Sequence, residues 1–308
     1  MASYDIIVIG SGLGGLTAGL FAVRHGLSTL IMEANIPGGH LTSIEKIEDF
    51  PGFPDGIAGY DLCPAVQRQA ADHGAEFERA EVRRMELQDR FWSVVTEQEK
   101  HLAKAVIVAT GSSLKNLEVP GEAELMGRGV SHCASCDGPL YNGQVVGVVG
   151  GGDSALQEAL ALANYAEQII VLHKGESFSA QDSYRQRVLA NEKIVPRYHT
   201  AVEEILGDDR VTGVRVRNLK TSEGDQVFLS AVFVYIGLKP NTELLRDLVN
   251  LSPSGHIPTD VSMQTERSGL YAAGDIRERS SAQAISAAGD GATAAMAAHR
   301  YIKERFEK

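Results

Sequence analysis

A chain of 308 residues, 44% hydrophobic and 22% charged, is long enough for about two globular domains and too apolar to be disordered. Lysine and arginine number 29 against 40 aspartates and glutamates, a net charge of −11, which disfavours binding to nucleic-acid phosphates or to an anionic membrane surface. Three cysteines, Cys63, Cys133 and Cys136, are no secreted disulfide framework, and no stretch approaches the ~18 apolar residues of a membrane helix. Met1–Gly10 runs straight into an apolar strand with no leader pattern, so the expected compartment is the cytoplasm.

Tyr4–Ile9 is an apolar, β-branched run. A glycine-rich turn follows, then a small-residue helix over Leu13–His25 and a second strand over Ser28–Glu33, a β–α–β opening. Asp61–His73 has the pattern of an amphipathic helix, short alternating strands fill 80–96, and Ala103–Ala109 reads as a buried strand. The pattern then restarts: strand Gln144–Val149, glycine turn Gly150–Gly152, helix Ala155–Ala166, strand Gln168–His173. After Gly237 come one more strand, Gly269–Ala272, and an alanine-rich helix ending near Phe306, too short for a third domain. The expected fold is α/β, with two Rossmann-like (three-layer ββα) dinucleotide-binding domains, the second inserted into the first. The expected boundaries are 1–112 with 242–308 for one domain and 113–241 for the other, the crossings lying in the loop formers of Gly111–Leu117 and Gly237–Thr242.

Gly10-Ser11-Gly12-Leu13-Gly14-Gly15 fits G-x-G-x-x-G between strand and helix. Gly10 permits the tight turn, Gly12 lets the backbone approach a pyrophosphate, and Gly15 lets helix and strand pack closely. The helix N-terminus then offers free N–H groups to the anion. Glu33, 23 positions after Gly10, is placed to accept the hydroxyls of an adenosine ribose. Gly150-Gly151-Gly152-Asp153-Ser154-Ala155 is the G-x-G-x-x-A variant of the same device, but the residue 23 positions on is His173, not an acid. Lys174 is the one cation beside it for a 2′-phosphate, and Glu176 argues the other way.

His132-Cys133-Ala134-Ser135-Cys136-Asp137 is the chemical centre. A C-x-x-C pair closes a small reducible loop, and exchange needs one sulfur to attack and one to leave. Asp137 is a carboxylate positioned to move a proton to a departing thiolate. The competing readings are half of a zinc site, which needs ligands from Cys63 or scattered histidines, and two packed core cysteines. No metal is expected.

Together these segments resemble low-molecular-weight thioredoxin reductases. The likeness is carried in order by G-S-G-L-G-G, G-G-H-L-T at 38–42, D-F-P-G at 49–52, A-T-G at 109–111, C-A-S-C-D-G, G-G-G-D-S-A and A-A-G-D at 272–275. The resemblance implies a discontinuous FAD domain, an inserted nicotinamide domain carrying the cysteines, and a homodimer. It implies FAD contacts at Gly10, Ser11, Gly12, Leu13, Gly14, Gly15, Glu33, Gly39, His40, Asp49, Val82, Gly274, Asp275, Gln283 and Ala284, with Asp275 on the ribityl chain and a helix from Gln283 facing the flavin. It implies NADPH or NADH at Gly150, Gly152, Asp153, Ser154, His173 and Lys174. It also implies Cys136 as the flavin-side sulfur and Cys133 as the attacker of a thioredoxin-like disulfide.

The chain departs from that family where H-R-R-x-x-x-R becomes His173-Lys174-Gly175-Glu176-Ser177-Phe178-Ser179, and where R-Q-A becomes Ala282-Gln283-Ala284. Those departures keep four rivals open: the same reductase fed by ferredoxin, a dithiol oxidase using oxygen, a peroxiredoxin-system reductase, and a non-catalytic FAD-binding sensor.

Overall fold

The computed structural model describes residues 2–307. In chain order the elements are β1 (Ser3–Ile9), α1 (Leu13–Arg24), β2 (Thr29–Glu33), α2 (Gly59–Asp72), β3 (Glu76–Arg79), β4 (Arg84–Gln88), β5 (Phe91–Val95), β6 (Lys100–Val108) and β7 (Ser112–Leu114). There follow β8 (Val130–Ser131), α3 (Ala134–Asp137), β9 (Val145–Gly150), α4 (Asp153–Leu162), β10 (Gln168–Leu172), α5 (Asp182–Leu189), β11 (Ile194–Arg197), β12 (Thr200–Leu206), β13 (Gly213–Asn218), β14 (Gly224–Phe228) and β15 (Ala231–Tyr235). β16 (Leu238–Pro240), β17 (Leu270–Ala272) and α6 (Ala284–Phe306) complete the chain.

Two compact units result, residues 1–113 with 239–308, and residues 114–238. The first division falls one residue later than position 112, and the second three residues earlier than position 241.

In the first unit the parallel strands run β3-β2-β1-β6-β17, and β5-β4 continues from β6 as an antiparallel pair. β6 changes partner along its length: Lys100–Ala103 pair with β5, and Val106–Val108 pair with β17. Its strands are apolar on both faces because both faces are covered. Ile6, Val8 and Ile107 pack on α1 and α6, while Ile7, Ile9 and Val108 pack on Met85, Trp92 and Val94. Small residues bring α1 and α6 together, since a Cβ on Gly291 would lie 2.0 Å from the Gly14 carbonyl oxygen. Truncating a fully buried Ile107 to alanine removes about 2–5 kcal/mol from such a core.

In the second unit β11-β10-β9-β15-β8 form a parallel sheet, and β12-β13-β14 an antiparallel one. Val146 and Val148 pack on Leu156, Ala159 and Leu162 of α4, and Val149, Val232 and Val234 pack on Val202, Val214 and Val216 of the antiparallel layer. α4 begins two residues before Ala155 and ends at Leu162, where the Tyr165 amide turns back onto the Leu162 carbonyl. α5 and the strands of the antiparallel layer are not anticipated by the sequence reading. α5 buries only Tyr184 and Val188 of its eight residues, too thin a stripe to stand out.

Candidate functional site

The first glycine turn lies between β1 and α1. Gly10 has φ +100, and a Cβ there would fall 2.3 Å from the Ala109 carbonyl oxygen; a Cβ on Gly15 would fall 1.9 Å from that of Gly10. A Cβ on Gly12 meets nothing within 4 Å, so its backbone is open to an approaching group. The Glu33 carboxylate returns from the end of β2 to this turn. Its Oε2 accepts the Ser11 amide and hydroxyl, each at 2.8 Å, and Oε1 accepts the Asn35 amide at 2.9 Å. Of the roughly four lone-pair sites on a carboxylate, one remains for a ribose hydroxyl. Leu13 and Gly14 are buried in the first turn of α1. The Gly38 amide bonds the Ser11 carbonyl at 2.8 Å, which sets Gly39 over Gly12; His40 is exposed in the 3-10 turn Gly39–Ser43, and Asp49 is exposed on the loop beyond it. Val82 is half-buried in the β3–β4 connection.

Asp275 sits in a 3-10 turn, Gly274–Ile276, just after β17. Its carboxyl accepts one long bond, 3.4 Å from the Ser280 hydroxyl, and burial raises its pKa above the usual carboxylate range, with Asp290 adding to the rise. A half-buried carboxylate so thinly bonded suits a ligand hydroxyl. α6 carries a capping box: the Gln283 side chain accepts from the Ser286 backbone, and the Ser286 hydroxyl accepts from the Gln283 amide. The amides of Ala284 and Ile285 in the same first turn are left to an outside acceptor. The loop before α6 holds Arg279 and Ala282 at positive φ, 62° and 52°, a strained conformation of the kind found at ligand clamps. These features fit FAD: a tight glycine turn, two carboxylates with acceptor capacity to spare and a helix N-terminus all belong to one unit.

The second turn repeats the first at Gly150, φ +147, where a Cβ would fall 2.2 Å from the Tyr235 carbonyl oxygen. Gly152 is open except for the Ser179 hydroxyl at 4.0 Å from its would-be Cβ. Asp153 accepts the Gln181 backbone amide at 2.7 Å and its side-chain amide at 2.9 Å, and Ser154 is exposed on the first turn of α4. His173 is packing here: its ring lies 2.3 Å from where a Cβ on Gly151 would be, and its Nε2 lies 3.0 Å from the Ser177 carbonyl oxygen. Lys174 is exposed. The turn suits a dinucleotide, and the strand end supplies neither an acid nor an arginine set.

Cys133 and Cys136 form a disulfide with a Cα–Cα distance of 5.3 Å. Cys133 Sγ accepts the Cys136 amide at 3.2 Å and lies 3.3 Å from the Ser135 hydroxyl. Asp137 follows in the same short helix, its amide on the Cys133 carbonyl at 3.1 Å. Cys136 is the exposed member of the pair and Cys133 is half-buried. His132 ties the loop to β15 through Nδ1, 2.9 Å from the Val234 carbonyl oxygen, and does not bond a sulfur. Cys63 is buried against Gly38 with its thiol pushed up to about 11 by desolvation, so it stays protonated and inert. Among the described residues no three His, Cys, Asp or Glu side chains cluster as metal ligands.

Two groups at these sites carry no local signal in the sequence. Arg277 bonds Asp290 through Nε–Oδ2 and, at 2.9 Å, Nη2–Oδ1, while Asp290 also accepts the Gly274 amide at 3.1 Å, so a buried ion pair fixes the Asp275 turn to α6. Tyr235 hydrogen-bonds the cysteine loop. The 13-residue and 101-residue separations hide both from any local motif.

The chain matches the family model described as pyridine nucleotide-disulphide oxidoreductase over residues 4–291. It is 39% identical over 303 residues to a thioredoxin reductase of Mycolicibacterium smegmatis, across 98% of this chain and 97% of that one. It is 38% identical over 299 residues to a thioredoxin reductase of Treponema pallidum, across 97% of each. Among solved structures, the thioredoxin reductase of Lactococcus lactis matches with a TM-score of 0.96 at 35% identity, over 98% of this chain and 99% of that one. With two dinucleotide-binding folds, a reducible cysteine pair and these relatives, the chain is a flavoprotein oxidoreductase acting on a disulfide, and it belongs to the pyridine nucleotide-disulphide oxidoreductase family.

Proposed function

We propose that the protein is a thioredoxin-disulfide reductase, its first unit holding FAD and its second carrying both the nicotinamide turn and the redox pair. The observation that carries this reading is the Cys133–Cys136 disulfide followed at once by Asp137, in the unit that also bears the Gly150 turn. FAD, where bound at the first turn, supplies the two electrons that open the disulfide. Gly12, Glu33, Asp275 and the first turn of α6 bind and orient that group. The reduced pair then acts on the partner. Cys133 thiolate attacks one sulfur of the partner's disulfide, and the partner's other sulfur leaves as a thiolate. Cys136 attacks Cys133 Sγ, releases the first partner sulfur and re-forms the Cys133–Cys136 bond, so two electrons pass to the partner. Asp137 holds and delivers a proton to a departing thiolate. Exposure alone favours Cys136 as the outward sulfur; the two donors on Cys133 Sγ favour Cys133 as the thiolate, and they weigh more because the thiolate is the nucleophile. The reading includes a homodimer in the cytoplasm, supported by the family likeness and by the sparse cysteine usage.

A second reading changes only the donor. It is favoured by His173, packed against Gly151 where a ribose acid would stand. The test mixes oxidised holoenzyme anaerobically with NADPH, then NADH, then a thioredoxin disulfide, following flavin absorbance and new dithiol. Bleaching by a nicotinamide with dithiol formation is the expected outcome. Bleaching by dithionite alone moves the donor to a reduced ferredoxin, and turnover that survives Cys133→Ser overturns the assignment of the attacker.

A further inference from the structure

Behind the disulfide stands a tyrosine that the exchange does not use. Tyr235 ends β15 opposite Gly150 and is 5% exposed. Its phenol oxygen accepts the Ala134 amide at 3.1 Å, and its hydroxyl is hydrogen-bonded to the carboxylate of Glu158 on α4. A carboxylate only accepts, so the hydroxyl donates to Glu158 and turns a lone pair to Ala134. Burial, with Glu158 and Asp137 nearby, holds the phenol proton on well above its usual range, so this polarity is fixed. Ala134 follows Cys133 directly and is 1% exposed; its amide has no water to fall back on. Across the same loop, Cys133 Sγ meets the Cys136 amide and the Ser135 hydroxyl.

We propose that Tyr235 is a positioning residue: by clamping the Ala134 amide it keeps the Cys136 N–H and the Ser135 hydroxyl aimed at Cys133 Sγ, which makes Cys133 the thiolate of the reduced pair. The proposal rests on the reading that this pair is the redox centre. Tyr235 touches neither sulfur and acts through the loop. Without its hydroxyl the Ala134 amide is buried and unpaired, a state costing about 1–3 kcal/mol, and the loop relieves it by turning. The donors at Cys133 then lose their aim, and a thiolate without donors reverts toward the ordinary thiol. Four titratable groups bear on the loop: Glu158 from α4, Asp137 from α3, Tyr141 from the turn after α3, and His132, bonded to β15. None of them replaces the lost clamp, because the Ala134 amide bonds only Tyr235 among the described residues.

The experiment uses reduced holoenzyme with iodoacetamide. Alkylation of Cys133 and of Cys136 is followed separately by peptide mass spectrometry from acid to alkaline pH. In Tyr235→Phe, Cys133 alkylation at neutral pH should fall roughly fivefold to tenfold while Cys136 is unchanged. The rate constant for partner reduction should fall in parallel and recover at higher pH. Should Tyr235→Phe fail to fold, Glu158→Leu keeps the phenol but removes its anchor, and a smaller shift in the same direction is expected. Wild-type profiles in the folded variants, an equal shift of both cysteines, or a rate loss that high pH does not restore each overturn the proposal. Failure of the underlying reading looks different: wild-type protein would show no pair that opens on reduction of the flavin.

Discussion

The two glycine turns share a backbone and part ways at the strand that follows. At the first, Glu33 reaches back to Ser11 and keeps a lone pair for a ligand. At the second, His173 folds onto Gly151 and closes on Ser177, and the Gly151 carbonyl is already taken by the amides of Ser179 and Ala180. The phosphate device, a tight turn feeding a helix N-terminus, survives in both. The nucleoside device, a side chain at the next strand end, survives in one. The two are separable because the turn is made of backbone and the strand end of a single side chain.

The largest test of this contrast is the third small position. Gly15→Ala forces a Cβ to 1.9 Å from the Gly10 carbonyl oxygen and should cost at least about 3 kcal/mol, read as a lower denaturation midpoint and a preparation without bound FAD. The second turn already carries Ala155 there, and Ala155→Gly should cost only about 1 kcal/mol. A Gly15→Ala protein that keeps its full flavin would erase the distinction.

Next in size is the strand end. Glu33→Gln removes a charged acceptor from two bonds to Ser11, and FAD affinity measured on the flavin-free protein should weaken by about 1.5–3 kcal/mol. His173→Gln should move nicotinamide affinity by no more than about 0.5 kcal/mol. Equal losses at both sites would show that His173 does recognise a nucleoside.

The smallest effect is a pH dependence peculiar to the first unit. Burial raises the folded pKa of Asp275 above its unfolded value, so the folded state favours the protonated acid. Its contribution is greatest at low pH and is lost as pH rises through the raised pKa. Asp275→Asn should therefore raise the melting temperature of the flavin-free protein at neutral pH, by about 2–4 °C if the effect is ~1 kcal/mol, and should erase that pH slope while weakening FAD retention. A slope unchanged in the variant assigns it to another group.

Local chemistry was legible in the sequence and long-range chemistry was not. Both glycine turns, Glu33, the cysteine pair and Asp137 are short motifs whose meaning lies in neighbours along the chain. β17 and α6 are legible as segments because a short apolar run after a glycine and a long alanine-rich run announce themselves. Tyr235 escaped because it is one of five buried residues in a uniform apolar strand, and only the fold sets its hydroxyl against Ala134. Arg277 and Asp290 carry no local signal, because they meet only when α6 packs against the turn after β17. The contacts of His173 with Gly151 and Ser177 are hidden for the same reason: they arise in a loop that carries no motif.

The first unit is built from the two ends of the chain, with β17 paired to β6 and α6 laid along α1. On a ribosome this imposes an order. The inserted unit, residues 114–238, is contiguous and can close as soon as it emerges. The turn at Gly10 is made before the inserted unit but waits for it, because Asp275 and the first turn of α6 are synthesised only after residues 114–238. Capture of the flavin is therefore a late event, delayed until the redox disulfide already has its scaffold. The β6–β17 pairing, closed across the whole inserted unit, is a long-range contact of the kind that forms slowly.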